Sequence, residues 1–334
     1  MGWRILAASL AAAALAASGA TAGAERPYAA PRTASGQPDL EGLWTPATLT
    51  PFERDPKFGE RRGLTPEEAR AEEAAASQMV ADASAPTRAD ATAKDVPCGL
   101  TKESCDINAA WQDSATRLLR VNGEARTSIL IEPPDGRLPL TAVGKAHRII
   151  QFGERLPRDN PEERTMAERC LMFPTQEGPP ILPGMYNNYL QIVQTPGHVA
   201  IHTEQIHDVR IVRLGGRHPP SSVRQWMGDS IGRWEGATLV VETTNMRAEQ
   251  AAQGETEAAR VTERFTRMGP DEILYRFTIE DPAAYARPVA GELMLKRTKG
   301  PLYEYACHDG DRGMEGILRG ARYEERTAAA GQAR

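Results

Sequence analysis

After position 189 the chain alternates between hydrophobic and polar residues with a period of two. Short β-branched runs carry the pattern at 189–195, 198–206, 209–214, 238–245, 260–268, 272–280, 292–298 and 302–308. Pro196-Gly197, Gly215-Gly216, Gly269-Pro270-Asp271 and Lys299-Gly300-Pro301 punctuate several of them. Repeated short strands with tight turns predict a mainly β fold, an antiparallel meander closing as a lipocalin-like barrel or folding as a sandwich. No helical crossover of the length a parallel sheet needs lies between the runs.

Period-two counting also assigns faces. Val261, Phe265, Ile273, Tyr275, Phe277, Ile279, Leu293 and Leu295 each fall on one side of their strands. His202 shares a face with Glu204 and Ile206, and Val240 with Glu242 and Thr244. Carboxylates interleaved with apolar side chains predict a barrel with a mixed interior, of the kind that holds a small ligand.

The N-terminal half has a different pattern. Residues 25–63 are rich in Pro, Gly and Arg with isolated apolar anchors such as Leu43, Trp44, Phe52 and Phe58, which predicts an irregular arm lying on the main domain. Thr65-Pro66-Glu67-Glu68 is a helix start, with Thr as N-cap, Pro in the first turn and Glu placed to close a capping box. The helix should run to about position 84 as a surface element. A second start, Asn160-Pro161-Glu162-Glu163, predicts a short helix toward Arg169, and 127–131 reads as a strand ended by the Pro133-Pro134-Asp135-Gly136 turn. The predicted organisation is an arm over 25–125, a barrel-like domain over 126–325 and a tail over 326–334.

The first 24 residues change the compartment. A basic start at Arg4, an Ala/Leu-rich run over 5–17 and the small-x-small site Ala22-Gly23-Ala24 form a secretory signal peptide. The apolar run is short of the ~20 residues that spanning requires, and no later run approaches it. The expected location is the periplasm, with no membrane span. Export gives the four cysteines meaning, since an even count in an oxidising compartment allows two disulfides. Cys98 with Cys105 would close a short loop, and Cys170 with Cys307 would tie distant regions. No C-x-x-C suggests zinc. The formal charge is −5, or −6 once Arg4 leaves with the leader, and no basic tract suggests nucleic acid. No G-x-G-x-x-G, P-loop or C-x-x-C-H is present, so no nucleotide or haem cofactor is expected. Nothing in the sequence sets an oligomeric state.

Candidate chemistry concentrates between positions 178 and 245. Four of the six histidines fall between His198 and His218. His202, Glu204, His207 and Asp208 offer imidazoles beside carboxylates, an acid–base set in which a carboxylate orients a histidine and tunes its pKa. A two-His-one-carboxylate metal site from His202, Glu204 and His207 is the competing reading. His198 and His218 border Pro-rich turns and read as loop residues. Tyr186 and Asn188 offer a phenol and an amide to a polar aromatic ligand, and Trp226 and Trp234 could wall its pocket. Glu242, Arg264 and Tyr275 are polar groups on predicted core strands. Gly228-Asp229-Ser230-Ile231-Gly232 fits G-x-S-x-G, but a Gly-rich hairpin follows where a nucleophile elbow needs a helix.

As a set, P-P-D-G-R (133–137), G-P-P (178–180), Y-N-N (186–188), I-H-D (206–208), Q-W-M-G-D-S (225–230), R-W-E-G (233–236), L-V-V-E-T-T-N (239–245) and Y-E-Y-A-C-H (303–308) resemble a large family of exported bacterial proteins, over most of residues 125–325. Members occur among degraders of lignin-derived aromatics, and the chain is similar to phenylcoumaran gamma-formaldehyde lyases. The resemblance implies a cofactor-independent lyase that takes a lignin-derived biaryl, expels its hydroxymethyl carbon as formaldehyde and leaves a stilbene. His202 or His207, oriented by Glu204 or Asp208, would be the base. Tyr186, Asn188, Arg264 or Tyr275 would be donors to the phenolate. The alternatives are a lipocalin-like protein that binds small aromatics without catalysis, and a metal-dependent hydrolase.

Overall fold

A computed structural model of the chain describes residues 28–84, 113, 115–152, 158–247, 249, 253–309 and 312–332. The signal peptide and the Cys98–Cys105 pairing lie outside these residues.

The fold is a closed barrel of nine strands. They are β1 (Gly42–Thr45), β5 (Leu190–Gln194), β6 (His198–Thr203), β7 (Val209–Leu214), β8 (Asp229–Glu235), β9 (Thr238–Thr244), β10 (Arg260–Gly269), β11 (Glu272–Glu280) and β12 (Val289–Arg297). The strands neighbour one another in chain order, and β1 closes the ring by pairing with both β5 and β12. A short β4 (Leu130–Glu132) adds to β12, and β2 (Arg120–Val121) pairs with β3 (Glu124–Ala125).

Two strands were not legible as strands. Trp44 in the irregular arm is the fully buried anchor of β1. Asp229–Glu235, expected to be a loop and hairpin, is β8. Ser230 and Gly232 on β8 are buried toward the core side, and the adjoining Trp234 packs against the core cluster. Conversely, 302–308 forms no strand.

The meander is antiparallel except at one seam, where β7 and β8 run parallel through Val212↔Ser230 and Leu214↔Gly232. The connection over 215–228 carries the chain back without a helix. Gly232 suits this seam because a Cβ there would lie 2.8 Å from Val212. Gly291 serves the same purpose on β12, where a Cβ would lie 2.3 Å from the ring of Phe277.

The barrel interior is packed. Leu190, Ile192, Val199, Ile201, Val212, Leu239, Val241, Val261, Phe265, Ile273, Phe277, Ile279, Val289, Leu293 and Leu295 form one buried cluster. This corrects the expected ligand-holding interior. The faces predicted for β10 to β12 hold, but on β9 the inward residues are Leu239, Val241 and Thr243, which register against inward Val261 and Glu263. Glu242 therefore points outward.

One polar network crosses the packed interior. Arg210 forks onto the carboxylate of Glu263, with Nη2 to Oε1 at 2.8 Å. Tyr275 donates to Glu263 at 2.9 Å and accepts from the Ile181 amide at 2.8 Å. All three side chains are buried, so the charges persist because each is paired and hydrogen-bonded.

Among the described residues there are three α-helices besides the barrel strands. They are α1 (Pro66–Ala83), α2 (Ala142–Phe152) and α3 (Gly313–Gln332). The capping box at Thr65 and Glu68 forms as expected. The Asn160 start yields only a 3-10 turn, Pro161–Glu163. α2 and α3 went unpredicted, and α3 occupies what read as domain end and tail. No helix among the described residues is long and apolar enough to cross a membrane. Cys170 and Cys307 form a disulfide.

Candidate active site

A cleft of about 590 Å³ opens on the outer wall of the barrel beside the parallel seam. Its floor includes Val209, Ile211 and Arg213, the outward residues of β7, and Asp229 of β8. The segment Arg224–Gly228 and Arg247 form its other wall. Because β7 and β8 are parallel, the residues entering both strands, Asp208 and 224–228, lie at the same end of the seam. Arg247 follows β9 to that end, where its amide bonds to the Gln225 carbonyl at 3.1 Å.

Of the four predicted catalytic residues, Asp208 lines this cleft. It follows a strained turn, in which Ile206 and His207 both hold left-handed backbone at φ 57° and 68°. A β-branched residue rarely adopts that region, and such strain gathers at functional sites. Thr203 fastens the turn, its amide donating to the Asp208 carbonyl at 2.9 Å.

The strain brings His207 back onto β6. Its ring meets that of His202 edge-on, with centroids 4.7 Å apart and planes at 90°. His202 points outward and is the cross-strand partner of Val209 on the cleft floor. Burial, and then the neighbouring His207, push the His202 pKa below its ordinary value. Its Nε2 is buried with no hydrogen-bond partner among the described residues.

Glu204 does not share the His202 face, because β6 ends at Thr203. The side chain is buried and accepts from the Tyr189 and Tyr303 amides, each at 3.4 Å. It anchors the segment leading to Cys307 and orients no histidine. Burial raises its pKa against those hydrogen bonds.

Two further buried groups belong to the same barrel end, and neither was singled out from the sequence. Glu177 is fully buried, its Oε1 accepts from the Phe173 amide at 2.9 Å and its Oε2 has no partner among the described residues. Burial, reinforced by the nearby Asp208 charge, pushes its pKa up to about 9. Glu177 is therefore protonated at neutral pH. Burial likewise raises Asp208, while His207 opposes the rise. The Gln205 amide is also buried with neither polar atom partnered among the described residues.

The remaining predicted residues are dispersed. Trp226 walls the cleft, with the Arg247 guanidinium 4.3 Å from its ring centroid. Trp234 packs on the core and its Nε1 is buried unpartnered. Tyr275 is sealed inside the barrel. Asn188 spends its amide on Gly184, accepting at 2.7 Å and donating at 2.9 Å. The Tyr186 ring stacks edge-on Phe173 at 6.3 Å, and burial first, then Tyr305, raises its pKa. Arg264 is outside the barrel and paired with Glu235 at 2.5 Å. Apart from Trp226, none of these residues lines the cleft, so the expected ring of donors from Tyr186, Asn188, Arg264 and Tyr275 is not assembled there.

Glu242 belongs to a charge chain behind the cleft that contains His218, expected to be a bystander. Arg213 clamps Asp229 with bonds of 2.7 and 3.0 Å. Asp229 also faces His218 Nδ1 at 2.6 Å, His218 Nε2 faces Glu242 at 3.3 Å, and Glu242 pairs with Arg260 at 2.8 Å. Burial pushes Asp229 up, but the hydrogen bonds from Arg213 and His218 outweigh it and hold the carboxyl below its usual value. This chain fixes Arg213 in the cleft floor.

No three His, Cys, Asp or Glu side chains converge as a metal-binding group among the described residues, so His202, Glu204 and His207 do not form the metal triad. Compared with known proteins, the chain matches no protein-family model and no curated protein.

Proposed function

We propose that this chain is an exported, periplasmic and cofactor-independent lyase that releases formaldehyde from a phenylcoumaran-type, lignin-derived biaryl and leaves a stilbene. The observation that carries the reading is Asp208, which lines a cleft of about 590 Å³ and is electrostatically coupled to both His207 and Glu177. Clefts of roughly 300–1,000 Å³ suit drug-sized ligands, and a two-ring substrate falls in that class. Pockets that hold pKa-shifted groups are the ordinary setting of acid–base catalysis.

The chemistry needs one base and one donor. The base takes the proton of the primary alcohol, the carbonyl of formaldehyde forms, and the carbon–carbon bond to the ring system breaks. Its electrons make the stilbene double bond, the benzylic carbon–oxygen bond opens, and the phenolate is protonated. No electron leaves the system. Burial makes the Asp208 carboxylate a stronger base than an exposed one. The His202–His207 pair sits beside it, and arginines of the cleft offer donors to the phenolate. The Cys170–Cys307 disulfide supports export.

A binding protein using the same cleft without turnover is the second reading, favoured by the Trp226–Arg247 wall. Purified mature protein incubated with a racemic phenylcoumaran, assayed for formaldehyde and for stilbene absorbance, separates them. Equimolar formaldehyde and stilbene, lost in Asp208→Asn, support the lyase. Binding without either product sinks it.

A further inference from the structure

The cleft has a charge pattern that the fragmentation itself does not require. Four arginines, Arg210, Arg213, Arg224 and Arg247, line it against two aspartates, Asp208 and Asp229. Two of the four are committed to buried carboxylates. Arg210 is forked on Glu263 within the barrel, and Arg213 is clamped to Asp229. The other two are paired only at the surface. Arg224 meets Glu257 at 3.1 Å, and Arg247 meets Glu249 at 3.0 Å, both acids being about half exposed. Ion pairs open to water are weak and yield to a better-placed anion.

Arg247 is the better organised of the two. Its guanidinium lies 4.3 Å from the Trp226 ring centroid, an arrangement that holds the planar fork in place. Its recorded hydrogen bonds use Nη2 at 3.0 Å and Nε at 3.5 Å, and its Nη1 edge makes none among the described residues. Arg224 is pinned beside it, donating through Nη1 to the Met246 and Glu257 carbonyls at 3.1 and 2.9 Å. Both lie at the Asp208 end of the cleft, next to an indole and above the apolar side chains of Val209 and Ile211.

We infer that the cleft recognises an aromatic acid: a two-ring ligand whose rings lie on Trp226, Val209 and Ile211 and whose carboxylate is read by Arg247 and Arg224. This rests on taking the cleft as the substrate site and specifies the substrate class that the proposed lyase accepts. A carboxylate suits the fork geometry of a guanidinium, whereas a neutral ester offers it only a weak acceptor. It also balances the two cations that no buried acid neutralises.

The test uses two non-reactive probes, trans-stilbene-4-carboxylate and its methyl ester, titrated into the full mature protein by calorimetry and by tryptophan fluorescence. The acid should bind at least about tenfold more tightly than the ester, the size of step a charged hydrogen bond supplies. Raising salt from 50 to 500 mM should weaken the acid and spare the ester. Arg247→Gln should bring the two probes within about twofold of each other, while Arg247→Lys should keep part of the preference. Arg224→Gln, checked for its fold by circular dichroism because this side chain also holds backbone, should act in the same direction. Equal binding of acid and ester, no binding of either, or a preference that survives both glutamine variants overturns the inference. Formaldehyde release from a neutral phenylcoumaran is measured separately. Turnover with no acid preference removes only the substrate class, and acid preference with no turnover on neutral or carboxylated phenylcoumarans removes only the lyase.

Discussion

The imidazole of His207 is held edge-on against that of His202, 4.7 Å between centroids, by a turn in which His207 itself carries left-handed backbone. Two bases so close cannot both be protonated cheaply. Burial and then His207 keep the His202 pKa below its ordinary value, and His207 also restrains the burial-driven rise of Asp208.

That relationship gives a pH prediction. If Asp208 is the base, kcat/KM falls on its acidic side as Asp208 gains a proton. Removing the positive partner lets both His202 and Asp208 hold protons more tightly. In His207→Ala the acidic limb should therefore move to higher pH, with the alkaline plateau largely kept. Asp208→Asn should lower kcat by about 10²- to 10⁴-fold at every pH, the usual weight of a general base. A limb that stays put in His207→Ala would show that the pair is only structural.

Glu177 yields a stability prediction of definite sign. Its pKa is about 9 in the folded chain against 4.5 unfolded. Its contribution is fully present below pH 4.5 and is lost progressively as pH rises to about 9. At pH 7 the unfolded state has released this proton and the folded state has not, which costs roughly 3 kcal/mol. Glu177→Gln keeps the amide acceptor for Phe173 and removes the ionisation. Chemical denaturation should show the variant gaining up to ~3 kcal/mol over wild type at pH 7 and little at pH 4.5. No gain at pH 7 would mean that the carboxyl is solvated or paired.

These residues also show what the sequence could reveal. Period-two alternation located seven of the nine barrel strands because each buries one face. Trp44 and Asp229–Glu235 escaped, one inside a Pro-rich arm and the other broken by Gly232, a residue explained only by Val212 across a parallel seam. Alternation also placed Glu242 inward, since parity gives two faces but does not say which is inside. Density of imidazoles pointed to the barrel end where the cleft opens, yet Glu177 gave no local signal. Its raised pKa comes first from burial and then from Asp208, 31 positions along the chain. His218 looked isolated because Asp229 and Glu242 reach it from two separate strands.

Tyr275 tests the division between wall and interior. It read as a substrate donor, and the structure seals it between Glu263 and the Ile181 amide. Tyr275→Phe should cost about 1–3 kcal/mol of unfolding free energy, because Glu263 and the Ile181 amide each lose a partner. Probe binding in the cleft should not change. Arg210→Met should cost more, about 3–5 kcal/mol, by leaving Glu263 charged and unpaired. A Tyr275→Phe variant of normal stability that no longer binds the probe would return this residue to the site.

The disulfide supplies the last prediction. Cys170 and Cys307 are 137 residues apart, so the bond closes a loop that contains every strand from β5 to β12. In the loop-entropy view such a closure is worth roughly 5 kcal/mol, all of it through the unfolded chain. It also joins the turns before Glu177 to the segment whose Tyr303 amide caps Glu204. Cys170→Ser should therefore do two things. The midpoint of denaturation should fall by an amount corresponding to a few kcal/mol, and reductant should lower the wild type to the same level while leaving the variant unmoved. The Glu204 and Glu177 region should also loosen before the barrel does, seen as faster amide exchange at Phe173, Tyr189 and Tyr303 than at Val261 or Phe277. Uniform loss of protection across both regions would instead make the disulfide part of the barrel's own cooperative unit.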